Sequence, residues 1–118
     1  MLSGRTTKDL VAFTWQFYRI VEKLLRGANQ KPPTLFELQL LARIGMAGEV
    51  GITASQLVHD IGMSKTSVSR KVLEFVEEGV LEQRPSADGR STTIHQTAAS
   101  IDRVERWAEE VRKITPVR

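Results

Sequence analysis

Three residues, Gly62-Met63-Ser64, separate two stretches that each repeat apolar side chains at helical spacing, and this short gap constrains the chain more than any other feature. Upstream, Thr53 and Gln56 stand in capping-box register and open a short helix through Leu57, Val58 and Ile61, which Gly62 ends. Downstream, Ser64 is an N-cap for a helix from Lys65 to Glu78, with Val68, Val72, Phe75 and Val76 on its buried face and Gly79 at its close. An eight-residue helix, a glycine-bearing turn and a longer helix make a helix-turn-helix. The period then falls to two. Residues 80–84 and 91–96 flank Pro85-Ser86-Ala87-Asp88-Gly89-Arg90, and Asp-Gly between β-rich runs marks a hairpin. A two-stranded hairpin directly after a helix-turn-helix is a wing.

The flanking segments are helical. From Thr7 to Arg26, apolar residues recur at Leu10, Phe13, Phe17, Ile20, Val21 and Leu24, with Val11, Tyr18 and Leu25 widening the stripe. Gly27 and the polar, proline-bearing stretch through Pro33 end that helix in a loop. Thr34 and Glu37 form a second capping-box pair, opening a helix expected to bury Leu35, Leu38, Leu41 and Ile44 and to stop at Gly45-Met46-Ala47-Gly48. Gly51-Ile52-Thr53 is long enough only for a strand fragment. Thr97 caps a last helix in which Ile101, Val104, Ala108, Val111 and Ile114 follow near-heptad spacing, with Trp107 beside the seam and Pro116 beyond the end.

With 118 residues, 41% hydrophobic and 26% charged, the chain is expected to fold as one globular domain, mostly α with a small β-wing. It holds no cysteine, which excludes disulfides, Cys-ligated zinc and thiol redox sensing. No apolar run approaches the roughly 18 residues of a membrane helix, and the N-terminus lacks the apolar core of a secretory signal, so a cytoplasmic location and no membrane partner are expected. The net charge is +3. Six basic residues among positions 1–31 (Arg5, Lys8, Arg19, Lys23, Arg26, Lys31) face only Asp9 and Glu22, a net of +4, so the remainder carries −1. Mean charge is therefore a weak argument for nucleic-acid binding, and placement must carry it.

Placement does so on the second helix of the helix-turn-helix. At 100° per residue, Val72, Phe75 and Val76 fall within about 80° of Val68, while Thr66, Arg70, Leu73, Glu74 and Glu77 lie between about 140° and 240° from it. The N-terminal half of this outer face carries Thr66 and Arg70, flanked by Ser67 and Ser69; the C-terminal half is acidic. A recognition helix enters the major groove by its N-terminal residues, where the helix dipole favours phosphate. Arg70 has the fork that reads guanine O6 and N7, and the hydroxyls donate to bases or phosphates. With neighbouring basic positions added, the candidate DNA-contacting set on the helix and the first strand is Ser64, Lys65, Thr66, Ser67, Ser69, Arg70, Lys71 and Arg84.

These residues resemble the winged helix-turn-helix regulators of the MarR type, including their shorter SarA-like relatives. Ser64-Lys65-Thr66-Ser67-Val68-Ser69-Arg70 is similar to that family's recognition-helix opening, Glu78-Gly79-Val80-Leu81-Glu82 to the exit into the wing, and Asp88-Gly89-Arg90 to its Asp-x-Arg wing signature. Gln96 stands where leucine is usual before Thr97, and Ser100 where glycine is common. The resemblance spans roughly residues 35–100. It implies that Arg90 inserts into the minor groove, that Asp88 orients it or ties the wing to the body, and that two chains interlock as a homodimer through their terminal helices. The implied dimerisation residues are Leu10, Phe13, Phe17, Val21, Leu24, Val104, Trp107, Val111 and Ile114. The expected layout is a dimerisation helix and loop over 1–31, a DNA-binding core over 34–96 and a second dimerisation helix over 97–118. The chain ends some 20 residues short of a typical family member, which makes the expected dimer platform smaller and leaves a small-molecule effector pocket an open expectation.

The other constellations carry less. His59 and His95 stand in different elements and are expected at the surface or in a capping role; no metal or cofactor is expected. Glu74, Glu77, Glu78 and Glu82 have neither a nucleophile nor a phosphate-binding loop beside them, so no enzyme is expected. Trp15, Phe17, Tyr18 and Trp107 at helical spacing fit core or interface better than a ligand cavity. The expected function is a transcriptional regulator, a repressor of a pseudo-palindromic double-stranded operator; the alternative is a winged-helix protein-binding module using Leu73, Glu74, Glu77 and Glu78.

Overall fold

The computed structural model describes residues 4, 6–26 and 31–114. Arg5, the loop residues Gly27 to Gln30 and Pro116, all invoked above, lie outside the described residues. The elements run α1 (Thr7–Leu25), α2 (Leu35–Ala47), a 3-10 turn (Gly48–Val50), α3 (Ala54–Ile61), α4 (Lys65–Glu77), β1 (Leu81–Pro85), β2 (Thr92–Gln96) and α5 (Ala98–Ile114). Each expected helix and strand is present, with several ends where expected and the others shifted by one or two residues. The chain divides into two compact units, one of residues 34–101 and one of the two termini, 1–33 with 102–118.

Five threonine or serine caps start the five α-helices, Thr97 on α5 among them. Thr6 and Asp9 form a full capping box on α1 that the sequence reading passed over, and Thr34 and Glu37 form the expected one on α2. Thr53 caps α3 by accepting from the Gln56 N–H, but the Gln56 side chain does not reach back; it donates to Asp60 instead (2.9 Å). At the end of α3, Gly62 turns left-handed (φ 79°, ψ 22°), a conformation that a side chain makes costly, and Ser64 caps α4 two residues later. That glycine makes the short turn of the helix-turn-helix possible.

In the 34–101 unit the core is Leu40 and Ile44 of α2, Ile52, Leu57 of α3, Val68, Val72 and Phe75 of α4, Leu81 of β1 and Ile94 of β2. The expected α2 stripe needs correction. Leu35 is 64% exposed, whereas Leu40, absent from that expectation, is fully buried. A spacing of three (35, 38, 41, 44) drifts about 60° per step and spreads over half the helix, but Phe36, Leu40, Ile44 and Ala47 lie within about 80° of one another. The latter set faces the core. α2 ends inside the expected glycine-bearing stretch, at Ala47, and the 3-10 turn follows from Gly48.

β1 and β2 pair antiparallel, Leu81 opposite Gln96 and Pro85 opposite Thr92. The strand fragment before α3 joins the free edge of β2: Ile52 and Ile94 exchange both backbone hydrogen bonds (3.3 and 2.8 Å). Thr97 ties the end of the hairpin to its beginning, donating its hydroxyl to the Gly79 carbonyl (2.7 Å) and accepting from the Ser100 N–H (3.1 Å). Ser100 is buried and Ile101 is 46% exposed, so the inward row of α5 starts at Ser100, one residue earlier than the heptad reading places it.

In the terminal-helix unit, Phe13 stacks on Phe17, Phe17 meets Trp107 edge-on (both centroid pairs 6.0 Å), and the Arg103 guanidinium donates to the Leu24 carbonyl at the end of α1 (2.6 Å). Val11, Trp15 and Tyr18 form a second α1 stripe that is more than half exposed. Arg19 lies over the Trp15 ring (5.5 Å to its centroid).

The core assignment makes a direct comparison possible. Leu40→Ala is expected to lower unfolding free energy by about 2–5 kcal/mol, and Leu35→Ala to change it by less than about 0.5 kcal/mol. Urea denaturation checks the pair, and the reverse order would contradict the packing.

Candidate nucleic-acid interface

Burying Val68, Val72 and Phe75 turns the opposite face of α4 outward, and Lys65, Thr66 and Arg70 are exposed there. Ser67 and Ser69 are half-buried. Ser64 is occupied: its hydroxyl accepts from the Ser67 N–H (3.1 Å) and donates to the Ser67 hydroxyl (2.9 Å). It shapes the helix start, which leaves Lys65, Thr66 and Arg70 as the groups presented to a ligand. The positive end of the helix dipole adds to them.

Lys71 does not belong with these residues. Its ammonium lies 3.1 Å from a Glu37 carboxylate oxygen on α2 and 2.9 Å from one of Glu74 on α4, with its side chain 23% exposed. On the helical wheel it sits about 60° from Val68, at the margin of the buried face, so it turns toward α2 and not outward. Burial alone pushes the Glu37 carboxyl up, but hydrogen bonds from the Thr34 N–H and from Lys71 outweigh it and hold the group below its ordinary value. Lys71 is raised, first by its hydrogen bond to Glu74. A matching pair joins α2 to α3, with the Arg43 Nε–H donating to Asp60 (2.8 Å), which also accepts from Gln56. Pairs this accessible contribute up to about 1 kcal/mol each. Their consequence is geometric: α2 carries one ionic contact to each helix of the helix-turn-helix.

In the wing, Asp88 builds the turn. Its carboxylate accepts from the Ser86 hydroxyl (2.6 Å) and the Arg90 N–H (3.0 Å), and these bonds, the hydroxyl first, hold its carboxyl below the usual range. Of the two expected roles, orienting Arg90 matches this geometry through the backbone of Arg90; Asp88 makes no bond to the body of the unit. Arg90 is exposed at the tip and makes no ion pair to the described residues, and the same holds for Arg70. Arg84 is different, since its guanidinium is paired with Glu82 on the same strand (2.6 Å).

The histidine expectation holds for His59, which is exposed on α3, and fails for His95, which is 4% exposed. β2 is covered on both faces, by the core at Ile94 and by the Gly51 loop at His95, so the alternation expected of an edge strand is lost there. Among the described residues, no group of three or more histidines and carboxylates is placed to hold a metal ion. The expected dimerisation residues on α1 and α5 are half-buried or buried within the single chain, and the exposed apolar stripe of α1 is Val11, Trp15 and Tyr18 instead. Two open clefts mark the 34–101 unit: one of about 420 Å³ beside Arg43, Val50 and Gln56, and one of about 340 Å³ between Glu49, Val50, Pro85 and His95.

Comparison with solved structures decides the fold. The chain superposes on the S. aureus MepR–DNA complex with a TM-score of 0.69, at 13% identity, covering 92% of this chain and 86% of that one. The chain has the MarR-type winged-helix fold. E. coli MarR in its apo form matches with a TM-score of 0.57 at 16% identity, covering 95% and 87% of the two chains. The M. tuberculosis transcriptional regulator MOSR in complex with DNA matches at 0.56 and 20% identity, covering 92% and 74%. No family model matches the sequence. A curated relative, a riboflavin kinase of Pyrococcus abyssi, is 33% identical over 82 residues, which are 69% of this chain; the chain spans 38% of the length of that kinase. In MarR-type terms, α3 and α4 are the helix-turn-helix and β1–β2 the wing, and Ser100 is a small residue at a buried position.

The Glu37 contact has a pH signature. A carboxyl lowered in the folded state contributes stability above its unfolded value and loses it as pH falls through the folded one. The stability gap between the wild-type chain and Glu37→Gln is therefore expected to be full near about pH 7 and to close toward about pH 3. Thermal melts across that range check it; a gap that widens on acidification would contradict the contact.

Proposed function

We propose that this chain is a sequence-specific double-stranded DNA-binding transcriptional regulator, acting as a homodimeric repressor on a pseudo-palindromic operator. α4 enters the major groove by its N-terminal half, where Arg70 reads a base and Lys65 and Thr66 hold phosphate or base edges. The wing enters the minor groove with Arg90. The observation that carries this reading is the pair of exposed arginines free of ion pairs to the described residues, Arg70 and Arg90, on the two elements that a winged helix points at DNA. The DNA-bound state of the MepR and MOSR structures supports it.

Dimerisation through α1 and α5 would place two recognition helices about 34 Å apart, one helical turn of DNA. The exposed Val11, Trp15 and Tyr18 support a partner there, since a soluble monomer rarely leaves such a stripe uncovered. The chain acts by binding and not by catalysis, and its likeness to the riboflavin kinase extends over 38% of that enzyme's length. No helix of the described residues is long and apolar enough to cross a membrane, which fits the proposed cytoplasmic setting. A small-molecule effector remains part of the proposal, with the two clefts as places to look for one. The other reading, a protein-binding module, has one observation in its favour: Leu73 is 53% exposed beside Glu74 and Glu77.

Duplex binding measured across salt concentrations separates the two readings. A regulator is expected to lose affinity steeply with salt, in proportion to the phosphates it neutralises, whereas a protein-binding module binds duplex little at any salt. Arg70→Ala is expected to cost about 1–3 kcal/mol of binding and to relax preference at one base position, and Arg90→Ala to weaken binding with less change of preference. Lys65→Gln is expected to lower the salt slope by about one, and Lys71→Gln to leave it unchanged. Undiminished binding by Arg70→Ala would remove that residue as the reader.

A further inference from the structure

Gly51 and His95 meet at the root of the wing more closely than any side chain at position 51 allows. Gly51 has φ 78°, and a Cβ built on it would stand 2.4 Å from His95 Cε1, 2.5 Å from His95 Nε2 and 3.0 Å from Thr93 Cβ. The Cε1–Nε2 edge of the imidazole therefore lies against bare backbone. Its Nε2 is 2.7 Å from the Thr93 hydroxyl, while Nδ1 is sealed from solvent without a partner. Keeping a polar ring there costs desolvation that an aliphatic side chain of similar size avoids. The ring is thus poorly explained as core filling alone.

Its position supplies an explanation. His95 and Thr93 are two apart on β2 and lie opposite Glu82 and Arg84 of β1, so all four share the face turned toward the Gly48–Gly51 loop. The wing leaves the body of the 34–101 unit at this point, and the Ile52–Ile94 bridge anchors the edge of β2 one residue away. A two-stranded ribbon has little stability of its own, so its direction depends on what its faces are seated against. The core seats one face through Leu81 and Ile94, and the Gly51 backbone seats the other through His95.

We propose that His95 and Gly51 form a seat that fixes the direction of the wing, making them positioning residues for Arg90. The proposal rests on the DNA-binding reading above. Neither residue touches DNA; removing the ring lets the hairpin pivot, so that Arg90 no longer reaches a defined place while α4 stays where its own core holds it.

A double-mutant cycle tests this, using fluorescence anisotropy on a duplex selected by the wild-type chain, with circular dichroism to confirm helix content. Arg90→Ala is expected to weaken wild-type binding roughly tenfold and to weaken His95→Ala by less than about twofold. Arg70→Ala is expected to cost the same in both backgrounds, which a general loss of structure would not produce. His95→Phe keeps a ring over Gly51 without the Thr93 bond and is expected to retain the full Arg90 effect; if His95→Ala does not fold, His95→Val, a strand-favouring side chain without the ring, takes its place in the cycle with the same expected loss. An Arg90→Ala loss of equal size in the wild-type and His95→Ala backgrounds, or an Arg90 effect abolished by His95→Phe, overturns the seat. Failure of the wild-type chain to bind any duplex is a separate outcome: it overturns the DNA-binding reading itself.

Discussion

The burial of one face of α4 is the constraint on which the rest of the structure depends. Val68, Val72 and Phe75 are pinned against Leu40, Ile44 and Leu57, and a rigid helix held by three residues on one side has no choice about its other side. Thr66 and Arg70 are directed outward by those contacts. Gly62 sets how soon α4 begins, Ser64 sets where its first turn starts, and the ionic contacts from α2 to Asp60 on α3 and to Lys71 on α4 trim its angle. Each is small beside the apolar term, yet each acts on direction, which is what a reading helix requires.

The wing follows the same logic with fewer resources. A two-stranded ribbon has too little apolar surface to hold itself, so it borrows from the body: Leu81 and Ile94 reach into the core, Ile52 adds a rung on the free edge of β2, and Thr97 closes the base. At the tip, Asp88 and Ser86 replace absent packing by hydrogen bonds within the turn. Direction is settled at the root and shape at the tip, and Arg90 inherits both.

The periodic and punctuated features of this fold were legible in the sequence. Capping pairs at Thr34 and Glu37, the glycines at 62 and 79, and the change of period near Val80 each act within a few residues, and each element appears where those signals place it. Features that depend on which neighbour arrives were not legible. Leu35 and Leu40 are the same residue type on the same helix, and only the angular fit of Leu40 with Phe36 and Ile44 separates them. Lys71 reads as one more cation until Glu37, 34 positions away, is brought beside it, although its place at the edge of the buried face was a usable hint. His95 looks like a surface residue of an edge strand because nothing local announces that the Gly51 backbone will cover it. For the same reason the charge balance of +3 says little: of the cations expected from the sequence to meet DNA, Lys71 and Arg84 are already paired with carboxylates of this chain.

Selection of bound sequences from a random duplex library addresses the central claim most directly, because one readout reports affinity, sequence preference and symmetry together. The account predicts recovery of an inverted repeat whose half-sites are centred about 10 base pairs apart, with a guanine position in each half that disappears when the selection is repeated with Arg70→Ala. Recovery of no consensus, or of one that Arg70→Ala leaves intact, would contradict it.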